Sequence, residues 1–202
     1  MAVIEQELKK LSVATPADPM PRLWTRDEYY RMADFGILGP DDRVELIRGE
    51  ILTMAPVGPE HGSTSLNLYD VLRDAAGSRF RVLHELPIIL SDKSEPQPDI
   101  AVAKGGRWTY RRRHPGPEDL VLVVETAHTA LLAYRTVKLQ LYAEAGIPEY
   151  WIVHLLEQQV EVHTQPSGQA YAVTQVYRSG DTIDLGFAPG TSVAISDILG
   201  DE

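Results

Sequence analysis

The sequence contains no cysteine, which excludes disulfides and thiolate metal sites. It holds no apolar run of transmembrane length and no secretory hydrophobic segment near its start. A cytoplasmic protein with no membrane partner is therefore expected. Also missing are a G-x-G-x-x-G turn, a P-loop, a G-x-S-x-G elbow, an H-E-x-x-H pair and an EF-hand loop. These absences disfavour a nucleotide cofactor and serine-hydrolase chemistry. The six histidines are scattered without ligand spacing, which disfavours zinc. No internal repeat is evident. Basic residues are outnumbered, 19 against 29 acidic ones, for a net charge of −10. That balance counts against a tight nonspecific nucleic-acid binder, but permits an enzyme with a local basic patch and a carboxylate cluster that loads a cation.

What is present suits one domain with a sizeable core: 202 residues, 44% apolar and 24% charged. Residues 1–22 read as a tail, where residues 5–11 allow a short helical turn before TPADPMP breaks it. The remainder, 23–202, reads as a single domain. Thr25 with Glu28 three residues on forms a capping box for a helix running to about residue 33. RVELIRGEILTMAP reads as a β-hairpin turning at Arg48-Gly49. A two-residue turn sets Glu45 opposite Leu52, on the same face as Ile47. There the carboxylate either reaches water at a sheet edge or joins a site. A helix over 59–76 carries His61 near its start, a place where a lone histidine more often packs or faces solvent than binds a ligand. A strand is expected over 80–90, with Pro87 marking an edge or bulge. Asp99 then opens a short strand, 100–102, either capping a turn or serving a site.

The most informative stretch is DLVLVVETAHTALLAYRTVKLQLYAEAGIPEYWIVHL, residues 119–155. It reads as strand, helix, strand. The uninterrupted apolar run 120–124 suits a strand buried on both faces and ends on Glu125. A helix over 130–145 is closed by Gly146, with Pro148 two residues later. At about 100° per residue, Lys138 shares a face with Leu131, Tyr134, Tyr142 and Ala145. Thr136, Gln140 and Glu144 lie opposite. Lys138 thus sits inside an apolar stripe, either snorkelling to the core edge or aimed at Glu125 on the strand that feeds the helix.

RWTYRRRHPGPED is the most basic segment. Arg107, Arg111, Arg112 and Arg113, with Trp108 and Tyr110 interleaved, suit phosphates and unstacked bases, and equally a solvated loop or a subunit contact. Beyond residue 155 a β meander is expected, over 160–163, 171–177 and a last segment around 183–198.

Glu45, Asp99, Glu125 and Lys138 therefore stand out as three acids and a lysine on or beside sheet elements. A few carboxylates with open water positions suit Mg²⁺ or Mn²⁺. Such an ion activates water and neutralises phosphodiester charge, while a lysine can stabilise the developing transition-state charge. Those are the parts of a metal-dependent phosphodiesterase.

PQPDIAV, VVE and RTVKLQLYAEAGIPEYWIV, preceded by VELIRGEI, resemble the Uma-two family of the PD-(D/E)xK nuclease superfamily. The resemblance covers residues from about 23 to the C-terminus. It implies an α/β fold: a restriction-endonuclease-like core, a mixed central β-sheet flanked by helices, and here an added C-terminal β meander. It implies a metal held by Asp99, Glu125 and the Thr126 carbonyl, with Glu45 as the hairpin acid. In this family the lysine is displaced from the second position after the glutamate, here Ala127, to the following helix, where Lys138 stands. The activity implied is a Mg²⁺- or Mn²⁺-dependent endonuclease acting on DNA, as a homodimer because a two-strand cut needs two sites.

Three positions depart from the family pattern. Tyr134 stands where an Asp often precedes the R-x-x-K motif, His128 where Asp or Pro often follows the glutamate, and His154 where Asp follows WIV. They leave open an alternative, a drifted nuclease fold acting as a DNA-binding or regulatory module. A carboxylate-pair hydrolase of the glycosidase type would need an aromatic-rich cleft, which the 7% aromatic content scarcely supplies.

Overall fold

A computed structural model describes residues 21–128 and 131–200. The turn expected over 5–11, nearly all of the tail expected over 1–22, and the first residue of the helix expected over 130–145 lie outside the described residues. The capping box forms: Thr25 Oγ1 accepts the Glu28 N–H, and the Glu28 carboxylate accepts the Thr25 N–H at 3.0 Å, opening α1 (Arg26–Asp34). The hairpin β1 (Val44–Ile47) and β2 (Glu50–Thr53) pairs Glu45 with Leu52 and Ile47 with Glu50. Arg48 and Gly49 turn with φ of 51° and 84°, the doubly left-handed geometry that suits a two-residue hairpin. A side chain at Gly49 is also excluded, because its Cβ would lie 2.7 Å from Leu23 Cβ.

α2 (Pro59–Ala76) starts on a proline, whose missing N–H costs nothing at a helix N-terminus, and ends at Gly77. β3 (Phe80–His84) is shorter than the strand expected over 80–90. Glu85 takes a φ of 48° and breaks the extended backbone, and Pro87 has no N–H to resume a ladder. Next come β4 (Ile100–Lys104), β5 (Leu120–Ala127), β6 (Glu149–His154), β7 (Gln159–Ser167) and β8 (Ala170–Arg178). The six strands β3 to β8 form one sheet in sequence order. Only β5 and β6 are parallel, which obliges a crossover between them. β7 and β8 extend this central sheet, so the expected meander belongs to it. The small hairpin β9 (Thr182–Asp184) and β10 (Ser192–Ala194) leads into α4 (Ile195–Leu199).

The crossover α3 covers 131–144 in three parts: α-helical Leu131–Ala133, π-helical Tyr134–Lys138 and α-helical Leu139–Glu144. The sequence reading expected a regular helix. The π turn is fixed where the Leu139 N–H reaches back five residues to the Tyr134 carbonyl. Thr136 Oγ1 meanwhile donates to the Leu132 carbonyl at 2.6 Å, taking the acceptor that an α-helical Thr136 N–H would use. Such turns recur where a helix serves a site.

Side-chain alternation divides the core. Leu122, Val124, Trp151 and Val153 face α2 and α4, meeting Leu68, Leu72, Ile195 and Ile198. Val123, Ala127, Tyr150 and Ile152 face α3, meeting Tyr142 and Ala143. Each fully buried aliphatic here is worth roughly 1.5–3 kcal/mol. β5 is thus clamped from both sides, and its last residues are held as firmly as its middle.

Candidate active site

β4 and β5 run antiparallel with Ile100 opposite Val124, so Asp99, one residue before β4, stands beside Glu125. The Thr126 N–H donates to Asp99 Oδ2 at 2.6 Å and fixes that carboxylate. Glu125 projects to the α3 face. There the Tyr142 hydroxyl donates to its Oε1 at 2.6 Å, and Lys138 Nζ lies 3.2 Å from the same oxygen. Lys138 also donates to Glu45 Oε2 at 2.6 Å, and the Gln97 N–H adds a bond to that oxygen at 3.2 Å. The hairpin, the two central strands and the crossover helix therefore bring together the four residues singled out in the sequence. All are nearly enclosed, with 8%, 9%, 3% and 6% exposure for Glu45, Asp99, Glu125 and Lys138.

Other contacts hold these elements in place. Glu95, buried beside the hairpin through the Leu46–Glu95 bridge, pairs with Arg26 Nε at 2.6 Å and accepts the Tyr30 hydroxyl. Arg135, in the π turn, grips Glu161 of β7 with Nε 3.1 Å from both carboxylate oxygens. The Tyr150 hydroxyl donates to the Tyr134 carbonyl at 3.3 Å. The rotation of α3, and with it the direction of Lys138, is set by contacts to the sheet.

One ammonium serves two carboxylates, Glu45 and Glu125, with Asp99 close behind Glu125. Burial raises the Glu125 carboxyl to about 7, with Asp99 and Glu45 adding repulsion and Lys138 and Tyr142 offsetting only part of it. Burial alone would lower Lys138, but Glu125 and Glu45 outweigh it and hold the ammonium above its ordinary value. The lysine is a fixed cation, and the cluster around it carries surplus negative charge.

Among the described residues no three His, Asp or Glu side chains already form a metal cage. The donor chemistry nevertheless fits a hard divalent ion. Asp99 is bonded through Oδ2 and Glu125 through Oε1, while Asp99 Oδ1 and Glu125 Oε2 accept no hydrogen bond among the described residues. Oxygens of this kind with surplus negative charge suit Mg²⁺ or Mn²⁺.

His61 joins this group, which its sequence position did not indicate. It enters from the first turn of α2, with Nε2 3.3 Å from Asp99 Oδ2. Its Nδ1 is buried without a hydrogen-bond partner. Contact with Asp99, and with the Thr126 main chain, raises the imidazole pKa against the opposing effect of burial. A histidine near a helix start gives no sequence signal for which strand end that helix meets. Tyr142 escaped notice for a similar reason, since an apolar stripe explains a tyrosine without a carboxylate for it to bind.

The cluster forms the floor of a cavity of about 700 Å³. Its walls come from the hairpin, residues 54–58, the start of α2 and the face of α3. Tyr134 lines it, and exposed His128 stands at its rim, 3.8 Å from Glu60. His154 is buried at the end of β6, with Nδ1 3.4 Å from Glu157, and does not line the cavity.

Arg107, Arg111, Arg112 and Arg113 are all exposed and are not brought to this site. They lie on the loop joining the end of β4 to the start of β5, whereas Asp99 and Glu125 lie at the other ends of those strands. Five residues of extended chain separate the two ends by roughly 17 Å. Arg113 is bound to Asp119, with Nη2 3.0 Å from Oδ1, and Arg107 stacks over Trp108 at 5.0 Å.

The Uma2 family, described as "Putative restriction endonuclease", matches residues 26–196. Among solved structures, "a putative nuclease belonging to DUF820" from Anabaena variabilis ATCC 29413 is similar with a TM-score of 0.65. The two are 17% identical over 90% of this chain and 98% of that one. At that identity the likeness shows the fold, a mixed sheet flanked by helices, as expected. No curated protein matches the chain.

Proposed function

The chain belongs to the Uma2 (Uma-two) family, and we propose on that footing that it is a metal-dependent nuclease hydrolysing phosphodiester bonds in DNA. The observation that carries the reading is the meeting of Glu45 and Glu125 on the Lys138 ammonium, with Asp99 beside Glu125, at one cavity. Asp99 and Glu125, with the Thr126 carbonyl, are the residues that would hold Mg²⁺ or Mn²⁺. Such an ion, when bound, supplies an activated water and neutralises charge on the phosphate.

The chain's own groups divide the remaining work. Lys138 donates one N–H to Glu45 and pairs with Glu125 at 3.2 Å, leaving an N–H for a phosphate oxygen. Held protonated by two carboxylates, it acts as a donor and charge stabiliser and not as a general base. Glu45 aims it. Tyr142 and the Thr126 N–H each hold one carboxylate by a single oxygen. The homodimer expected from the sequence belongs to a double-strand cut, which needs two such centres. No helix among the described residues is long and apolar enough to cross a membrane, and the reaction is assigned to the cytoplasm as part of this proposal.

Cleavage of supercoiled plasmid and of single-stranded DNA with Mg²⁺ or Mn²⁺, wild type beside Glu125→Ala, tests it. Metal-dependent cutting lost in the variant is expected. Cutting that persists in chelator, or equally in the variant, contradicts it.

A further inference from the structure

We infer that the substrate enters this site as an unstacked nucleotide of a single strand, with its phosphate on the charged floor and its base against an apolar wall. The inference rests on the nuclease reading. Three observations carry it.

The first is depth. Glu125 and Lys138 are 3% and 6% exposed, below a cavity of about 700 Å³. That is the scale of pockets that enclose one small ligand, roughly 300–1,000 Å³. A phosphate in an intact duplex lies on the outside of a wide, stacked double helix that cannot follow it down to such a floor. A nucleotide taken out of the stack can.

The second is the wall. Leu52 of β2, Val57 before α2 and Val137 of α3 are 38%, 39% and 41% exposed. They come from three elements and converge on the same cavity. Aliphatic side chains left in water around a charged floor match the two halves of a nucleotide, an anionic phosphate and a flat apolar base.

The third is charge. A duplex binder sets several Lys and Arg side chains against phosphates. Here Arg43 is the arginine lining the cavity, the chain carries −10 overall, and the exposed arginine loop sits at the opposite end of β4 and β5.

The test is fluorescence anisotropy of a single-stranded DNA oligonucleotide and a blunt duplex of equal length, with Ca²⁺ as the ion, alongside cleavage of both with Mg²⁺. The single strand is expected to bind at least roughly tenfold more tightly, the scale of covering one exposed aliphatic side chain, and a duplex with a single-stranded flap should compete like the single strand. Val57→Asp should reduce single-strand affinity by a similar factor and Val57→Leu should preserve it. Equal or tighter binding of blunt duplex, no detectable single-strand binding, or indifference to Val57→Asp overturns the inference. Single-strand preference without cleavage of any substrate would leave the inference standing and remove the nuclease reading. Cleavage with duplex preference would do the reverse.

Discussion

Lys138 lies closer to Glu45, at 2.6 Å, than to Glu125, at 3.2 Å. The helix lysine is thus tied more tightly to the hairpin than to the strand that feeds its own helix. Glu45 anchors Nζ, which meets Glu125 at Oε1, the oxygen that Tyr142 also holds.

From this follows a separable role for Glu45. Glu45→Gln keeps the shape but weakens the anchor, so Lys138 moves toward Glu125. The expected result is a fall in kcat on the order of 10²-fold, the loss seen when one oriented donor is misplaced. Mn²⁺ affinity by calorimetry should change only a few-fold. A large loss of metal affinity with kcat intact would make Glu45 a ligand instead.

Glu125 sets a pH dependence. Its folded value of about 7 lies above the ordinary 4.5, so the folded chain keeps a proton that the unfolded chain releases between those values. The associated stability is present below about 4.5 and is lost as pH rises through about 7. In chelator, the Tm of wild type should therefore fall relative to Glu125→Gln as pH rises from about 5 to about 8. Parallel Tm curves for the two proteins would contradict the raised value.

His61 meets Asp99 at Oδ2, the oxygen that the Thr126 N–H also holds, and not at the open Oδ1. Removing an outer partner of a metal-binding carboxylate typically costs about 10–100-fold in affinity. His61→Ala should raise the Mn²⁺ Kd by that factor, and His61→Gln should recover part of it. An unchanged Kd in both variants would reduce His61 to packing.

The arginine loop makes a prediction about length. Replacing Arg107, Arg111 and Arg112 together with Ala should leave affinity for an oligonucleotide too short to span the roughly 17 Å along β4 unchanged. A longer strand should lose affinity, and its salt dependence should flatten by about 0.7 per lost phosphate contact. Arg113 is left in place because it holds Asp119. Equal losses for short and long strands would mean that the loop acts on the cavity itself.

Much of this site was legible because local chemistry fixes local geometry. The Arg48-Gly49 turn sets the hairpin register, which puts Glu45 beside Ile47 and Leu52. The apolar run before Glu125 buries β5 on both faces, and helical periodicity turns Lys138 inward. What escaped depends on where separate elements cross. His61 meets Asp99 only because the N-terminus of α2 points at the end of β5, and no pattern inside α2 encodes that. The π turn was hidden because its cause, the Thr136 hydroxyl taking the Leu132 carbonyl, competes with an α-helical bond that the sequence favours equally. The strand expected over 80–90 failed at Glu85, whose left-handed φ is a choice that glutamate does not announce.

The proposed reaction divides the labour, with carboxylates holding the ion and Lys138 acting on the phosphate. It is tested most directly by measuring Mn²⁺ binding and single-strand cleavage on Lys138→Ala beside wild type. The variant is expected to bind Mn²⁺ at least as tightly, since Glu45 and Glu125 lose the ammonium between them, and not to cut. A Lys138→Ala protein that cleaves at the wild-type rate would contradict it.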